Sequence, residues 1–181
     1  YRSDDGGITW NRKAVRDGIG TWRRTVHHLA YAPSTKNTTL GYTERWYVAV
    51  TEFVRTGTGI NIEADEGFLY SDDGGETWTE IRKLDKATYT ENIYGIRVDP
   101  VDKDVVYTYG APGLAKFEDA TNPTGTYTKI SGTGGLPAGA INELPYISPD
   151  GNTLIVGVNN NGIYKSTDRG VNWTQITAII C

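Results

Sequence analysis

Ser71-Asp72-Asp73-Gly74-Gly75-Glu76-Thr77-Trp78 lies between Phe68-Leu69-Tyr70 and Thr79-Glu80-Ile81. It reads as a tight, hydrogen-bonded turn joining two strands. Asp73 is placed to accept hydrogen bonds from backbone N–H groups across the turn, as Asx turns do. Gly75 supplies a backbone shape that a residue with Cβ resists. Trp78 offers a large apolar plate that fixes the turn against its own sheet. The pattern recurs as Ser3-Asp4-Asp5-Gly6-Gly7-Ile8-Thr9-Trp10 and as Ser166-Thr167-Asp168-Arg169-Gly170-Val171-Asn172-Trp173. All three are Ser-x-Asp-x-Gly-x-(Thr/Asn)-Trp, so Ser3, Asp5, Gly7 and Trp10, Ser71, Asp73, Gly75 and Trp78, and Ser166, Asp168, Gly170 and Trp173 are read as structural positions.

Trp10 and Trp78 are 68 residues apart, and Trp78 and Trp173 are 95 apart. The second interval is about two ordinary units, so a decayed copy is expected midway. Gly125-Thr126-Tyr127-Thr128 fits, with Tyr127 in the Trp place and an altered turn over Glu118–Pro123. Spacings then become 68, 49 and 46. Four-stranded units of about 40–50 residues are propeller blades. The division is a half blade at 1–15, a blade with a long insertion at 26–84, a blade with a degenerate turn at 93–131, and a blade at 140–177. Strands are expected at 26–31, 45–51, 67–71 and 77–84, at 93–98, 104–109, 113–117 and 126–130, and at 141–147, 153–158, 162–166 and 172–176.

The repeated octapeptide resembles the Asp-box, or bacterial neuraminidase repeat (BNR), of a large group of β-propellers. That group includes sialidases, family 74 xyloglucan hydrolases, sortilin-type receptors and a photosystem assembly factor. The segment Ile96-Arg97-Val98-Asp99-Pro100-Val101-Asp102-Lys103-Asp104-Val105-Val106-Tyr107 is similar to the inner hairpin of family 74 propellers. The resemblance implies an all-β propeller sector of four-stranded antiparallel blades, about three and a half of them, within a larger propeller. It also implies that the Asp-box turns lie on the face opposite the substrate. The sialidase pattern fails one test, because no Arg-Ile-Pro segment occurs and the matching strand reads Gly95-Ile96-Arg97-Val98. The ten-cysteine module that follows a sortilin propeller is not visible either. No family 74 catalytic aspartate matches a position here, so the catalytic residues stay unknown.

Composition agrees with a strand-rich chain: twelve Tyr, five Trp and 22 Gly in 181 residues. A net charge of −4 gives no sign of a nucleic-acid partner, and no stretch is apolar for long enough to span a membrane. The one cysteine, Cys181, has no internal partner and reads as an inert or truncated end, or as an intermolecular bridge. The absence of Met and of a leader reads as a piece of a longer chain. Sequons at Asn37 and Asn172 add a weak pointer to secretion.

One Asp per blade, each on its own turn, radiates outward instead of converging, so these aspartates read as turn braces and no metal or cofactor is expected. Function is expected on the other face, in two long connections, 16–24 and 52–66. Trp22, Phe53, Tyr89 and Tyr94 there offer flat faces to sugar rings. Glu52, Glu63, Asp65, Glu66 and Glu91 are candidate carboxylates, and glycoside hydrolysis needs two facing one bond. His27 and His28 are expected on opposite faces of a strand. Gly57-Thr58-Gly59 lacks the Lys-Ser/Thr of a phosphate loop, and Gly132-Thr133-Gly134-Gly135 reads as a flexible connector. The leading expectation is an extracellular propeller that binds or hydrolyses polysaccharide, in the manner of an endo-β-glucanase or xyloglucanase. The alternative is a non-catalytic scaffold or protein-binding module. Under either, missing chain segments or a protein partner complete the ring.

Overall fold

The period-two runs of the sequence become strands in the computed structural model. It describes residues 1–12, 23–56, 59–84, 93–110, 113–122, 125, 127–138, 141 and 143–176, with backbone alone at 23–25, 27, 50–56, 59–68 and 80–84. Sheet I runs β1 (Arg23–Tyr31), β4 (Trp46–Thr56), β5 (Gly59–Ser71), β6 (Thr79–Leu84). Between β1 and β4 lie a 3-10 turn (Pro33–Thr35) and the short pair β2 (Lys36–Asn37) and β3 (Tyr42–Thr43). Sheet II runs β7 (Ile93–Val98), β8 (Val106–Gly110), β9 (Gly113–Phe117), β10 (Tyr127–Lys129). Sheet III runs β11 (Tyr146–Ile147), β12 (Leu154–Val158), β13 (Gly162–Ser166), β14 (Thr174–Ile176). Each is an antiparallel meander in chain order. Residues 1–12 form a further turn closed by the Arg2–Asn11 bridge.

Neighbouring residues on a strand face opposite ways, and this stacks the sheets. Val106 of β8 packs with Ile96, Val98 and Phe117 against Ala30, Ala32, Tyr47 and Ala49 of sheet I. Its neighbour Tyr107 turns the other way and packs with Leu114 against Leu154, Val156, Tyr164 and Trp173 of sheet III. Small alanines on sheet I leave room for the branched and aromatic side chains of sheet II, which keeps the contact dense. A third cluster, Val48 and Leu69 with Trp78, lies on the far face of sheet I. Among the described residues no helix is long and apolar enough to cross a membrane.

Four expectations need correction. The stretch 52–66 is not a loop: β4 and β5 pair as far as Thr56 and Gly59, so it extends the hairpin as a ribbon. The first strand of sheet III is two residues, 146–147, because Pro145 has no N–H to give to a ladder. The two histidines do not simply alternate, since Val26 pairs with Val50 and His28 with Ala49, leaving His27 as a bulge. Finally, 132–135 is a packed turn. Gly134 accepts from the Trp173 N–H at 2.7 Å, and a Cβ on Gly134 would lie 2.0 Å from the Val171 carbonyl oxygen.

Ile96 is fully buried between sheets I and II. Ile96→Ala is expected to lower unfolding free energy by about 3 kcal/mol, read as a lower urea midpoint with an unchanged slope.

Candidate functional site

In each repeated turn one carboxylate is held on both oxygens. Asp73 accepts from Ser71 Oγ at 2.7 Å, from the Thr77 N–H at 2.9 and 3.0 Å, and from Thr77 Oγ1 at 2.6 Å. Asp5 accepts from Ser3 Oγ, from the Ile8 and Thr9 N–H groups, and from Thr9 Oγ1. Asp168 accepts from Ser166 Oγ, the Asn172 N–H and Asn172 Nδ2. Each Ser Oγ in turn accepts from the glycine N–H four residues on, at 2.7 to 2.9 Å. Each Trp Nε1 donates to that glycine's carbonyl. The glycines have φ of 91°, 89° and 88°, and the Trp ring covers the side where a Cβ would stand.

These bonds act on the acidity of the carboxyls. Thr9 and Ser3 hold Asp5 down at about 2. Asn172 and Ser166 do the same for Asp168. At Asp73 burial pushes upward, but Thr77 and Ser71 outweigh it and the value is again about 2. The lone pairs are spent inside the turn, and no group of three metal-ligating side chains exists among the described residues. The sequon amides are also engaged, Asn37 Nδ2 with Glu44 and Asn172 Nδ2 with Asp168.

The turns also bind the sheets to one another. Arg45, a residue 4% exposed, forks its guanidinium onto Asp72 at 2.5 and 3.0 Å and reaches Asp104 of the β7–β8 turn at 2.6 Å. Tyr47 Oη donates to the Lys103 carbonyl. From the other side, Arg169 Nη2 donates to the fully buried Asp99 at 2.7 Å. The β7–β8 turn is therefore gripped by both neighbouring sheets. Arg2 ties the first turn to the second through the Gly74 carbonyl and Glu76, with its guanidinium over the Tyr42 ring.

Trp22, Tyr89 and Glu91 lie outside the described residues. Glu52 and Phe53 are on β4, and Glu63, Asp65 and Glu66 are on β5. In the ladder Glu52 stands opposite Asp65, and Thr51 opposite Glu66. The next pair is Val54 with Asn61, so Phe53 alone faces the stretch Ile62-Glu63-Ala64. Tyr94 is on β7, half-exposed and edge-on to Tyr109. The ribbon closes between β4 and β5, at the sheet end opposite the 71–78 turn.

A family model described as the BNR/Asp-box repeat matches residues 1–12 and 69–80. Among solved structures the chain is similar to YCF48 from Cyanidioschyzon merolae, at 15% identity over 86% of this chain and 42% of that one, with a TM-score of 0.52. The fold is that of a BNR-repeat propeller. The chain is also similar to the GH74 enzyme of Niastella koreensis, at 21% identity over 84% of this chain and 22% of that one, TM-score 0.49. The GH74 xyloglucanase from Xanthomonas campestris gives 21% identity over 86% and 22%, TM-score 0.49. The chain thus spans less than half the length of each. No curated protein matches it in sequence.

In propeller terms, sheets I to III are blades, and β1, β7 and β11 are their inner strands. Sequence reasoning missed the inter-blade arginines. One signal was present: Arg169 stands where the other two boxes have Gly6 and Gly74, and it adopts the same left-handed backbone, φ 59°. A side chain there costs roughly 1 kcal/mol, offset by the bond to Asp99.

Arg169→Gly is therefore expected to destabilise despite relieving that backbone, by about 2 kcal/mol in urea unfolding, because Asp99 loses its cation. Asp73 carries a depressed pKa, so its contribution is full above the usual 3.8 and is lost as pH falls through about 2. Unfolding free energy is expected to fall across that window. Asp73→Asn is expected to be less stable at neutral pH by about 2 kcal/mol and to show a flatter acid limb.

Proposed function

We propose that the chain belongs to an extracellular propeller that takes polysaccharide across the face carrying the β4–β5 ribbon, opposite the Asp boxes. The observation that supports this is the register of the ribbon, which sets Glu52 opposite Asp65 beside a bulge. Like charges directly opposite one another destabilise a ladder, and bulges are concentrated next to active sites. Glycoside hydrolysis needs two carboxyls facing one bond, and the register puts two acidic residues at one rung of the ladder. One carboxyl would protonate the leaving oxygen and the other would attack or stabilise the sugar cation. The family 74 resemblance of residues 96–107 names β-glucans and xyloglucan as the polymers to try first.

A second reading, a non-catalytic protein-binding propeller, draws on the same ribbon. Among the described residues the β1–β4 ladder runs to Phe53 and the β5–β6 ladder to Glu66, and a projecting two-stranded ribbon is a shape to which a partner's strand can be added.

Retardation in gels containing xyloglucan or β-glucan, with reducing-sugar release, separates the two. The polysaccharide reading expects retardation, and a loss of release of about a hundredfold or more in Glu52→Gln and Asp65→Asn with retardation kept. Retardation without release in the parent protein leaves binding and removes hydrolysis. No retardation by any polymer of the panel overturns the polysaccharide reading.

A further inference from the structure

His28 of β1 bridges the seam between the inner strands of blades I and II. Its ring donates to the Ile96 carbonyl of β7. That bond uses the one proton of the neutral ring, at Nε2. Nδ1 is left bare, buried and without a hydrogen-bond partner. We propose that His28 is a pH-sensitive latch: the neutral ring holds β1 to β7, and a proton taken up on Nδ1 parts the two inner strands. The seam is distinct from the β4–β5 ribbon, and the inference does not rest on the polysaccharide reading.

Three observations carry it. First, β1 and β7 belong to different sheets, so no backbone ladder joins them. Their contact is the packing of Ala30 and Ala32 against Ile96 and Val98, together with the His28 bond. Second, a proton on Nδ1 would be a buried donor with no acceptor in reach among the described residues. A buried unpaired donor is costly, and a charged one more so. Third, the charge beside the ring has the wrong sign. His28 and the partly buried Arg97 line one cavity of about 350 Å³. Among the described residues no carboxylate pairs with Arg97.

The surroundings supply no counter-ion. Tyr31 is the other ionisable side chain of the cavity lining, β4 sets Ala49 opposite His28, and β11 brings Ile147. Tyr94, also on β7, is turned to Tyr109. In the β7–β8 turn Asp99 is held by Arg169, and Asp104 by Arg45 and Lys103. Asp102 of that turn accepts the Asp104 N–H. Burial first, then the charge of Arg97, lower the pKa of His28 from the usual 6.5, against the upward pull of the Ile96 bond. As pH falls, the unfolded chain therefore takes the proton before the folded one. Stability is unaffected above the usual value. It falls as pH drops below it, and levels off once the folded ring is also charged.

The chain has only two histidines, His27 and His28, which keeps the test clean. It combines NMR of the imidazole nitrogens with urea unfolding from about pH 7.5 to about pH 5.5. His28 is expected as the Nε2–H tautomer, titrating below about 6.5. Over that range the unfolding constant is expected to rise about threefold or more beyond any rise in His28→Gln. Glutamine keeps an N–H for the Ile96 carbonyl and cannot take the proton. Arg97→Met should raise the pKa of His28 and shrink the pH dependence, and His27→Gln should keep it. Amide hydrogen exchange, corrected for its intrinsic pH dependence, should quicken in β1 and β7 relative to β12 and β13 of blade III. Titration of His28 at or above the usual value overturns the proposal. So does a His28→Gln variant with the parent's pH dependence, or exchange that quickens equally in all three blades. If His28→Gln does not fold, the titration and the exchange pattern of the parent chain still decide.

Discussion

A carboxylate that accepts the N–H two residues ahead of the outer strand and the hydroxyl or amide of the same residue, while also holding the serine opposite, makes the outer hairpin of blades I and III rigid. Asp73 and Asp168 do this with the same partners at the same positions. The serine passes the constraint to the glycine N–H, and the glycine carbonyl passes it to the indole. The indole is then fixed where it is needed. Trp173 fills the gap between blades II and III, and Trp78 packs on Val48 and Leu69. A local polar motif thus positions apolar surface for a contact that is distant in sequence.

The motif was the part most open to reading from sequence, because it is local: donor, acceptor and ring all lie within eight residues. At the expected decayed copy Tyr127 opens β10, whereas Trp78 and Trp173 each precede their strand, and it packs on Phe117 at 4.9 Å between ring centres. Its turn is rebuilt around Asp119, whose φ is 54°, and around Asn122. What depended on partners far along the chain was not legible. Arg45 looked like the polar start of a strand, yet it binds two aspartates, one of them 59 residues away. Gly134 looked like slack and is instead a point of close approach to blade III.

The candidate ligand face divides in the same way. Residue type alone pointed to Glu52 and Asp65, but only strand register sets them opposite one another. A polar, glycine-bearing run such as 52–66 reads as a loop because its apolar residues are too sparse for alternation to stand out. It is strand because each half finds its partner in the other. Tyr94 was placed among the sugar-facing aromatics, and its described neighbour is another ring, Tyr109.

The fourth position of the box has a consequence for how such blades are assembled. In the second box it is Gly74, and a Cβ there would stand 2.7 Å from the Tyr42 ring, with Arg2 close behind. In the third box the same position sends out Arg169 to a buried acid on the blade before it. One copy is a socket and the other a plug, on a nearly identical backbone. The repeats therefore carry an address as well as a shape. Exchanging the boxes of blades I and III would keep both turns intact and still misfit, with an arginine driven against the Tyr42 ring and Asp99 left buried without its cation.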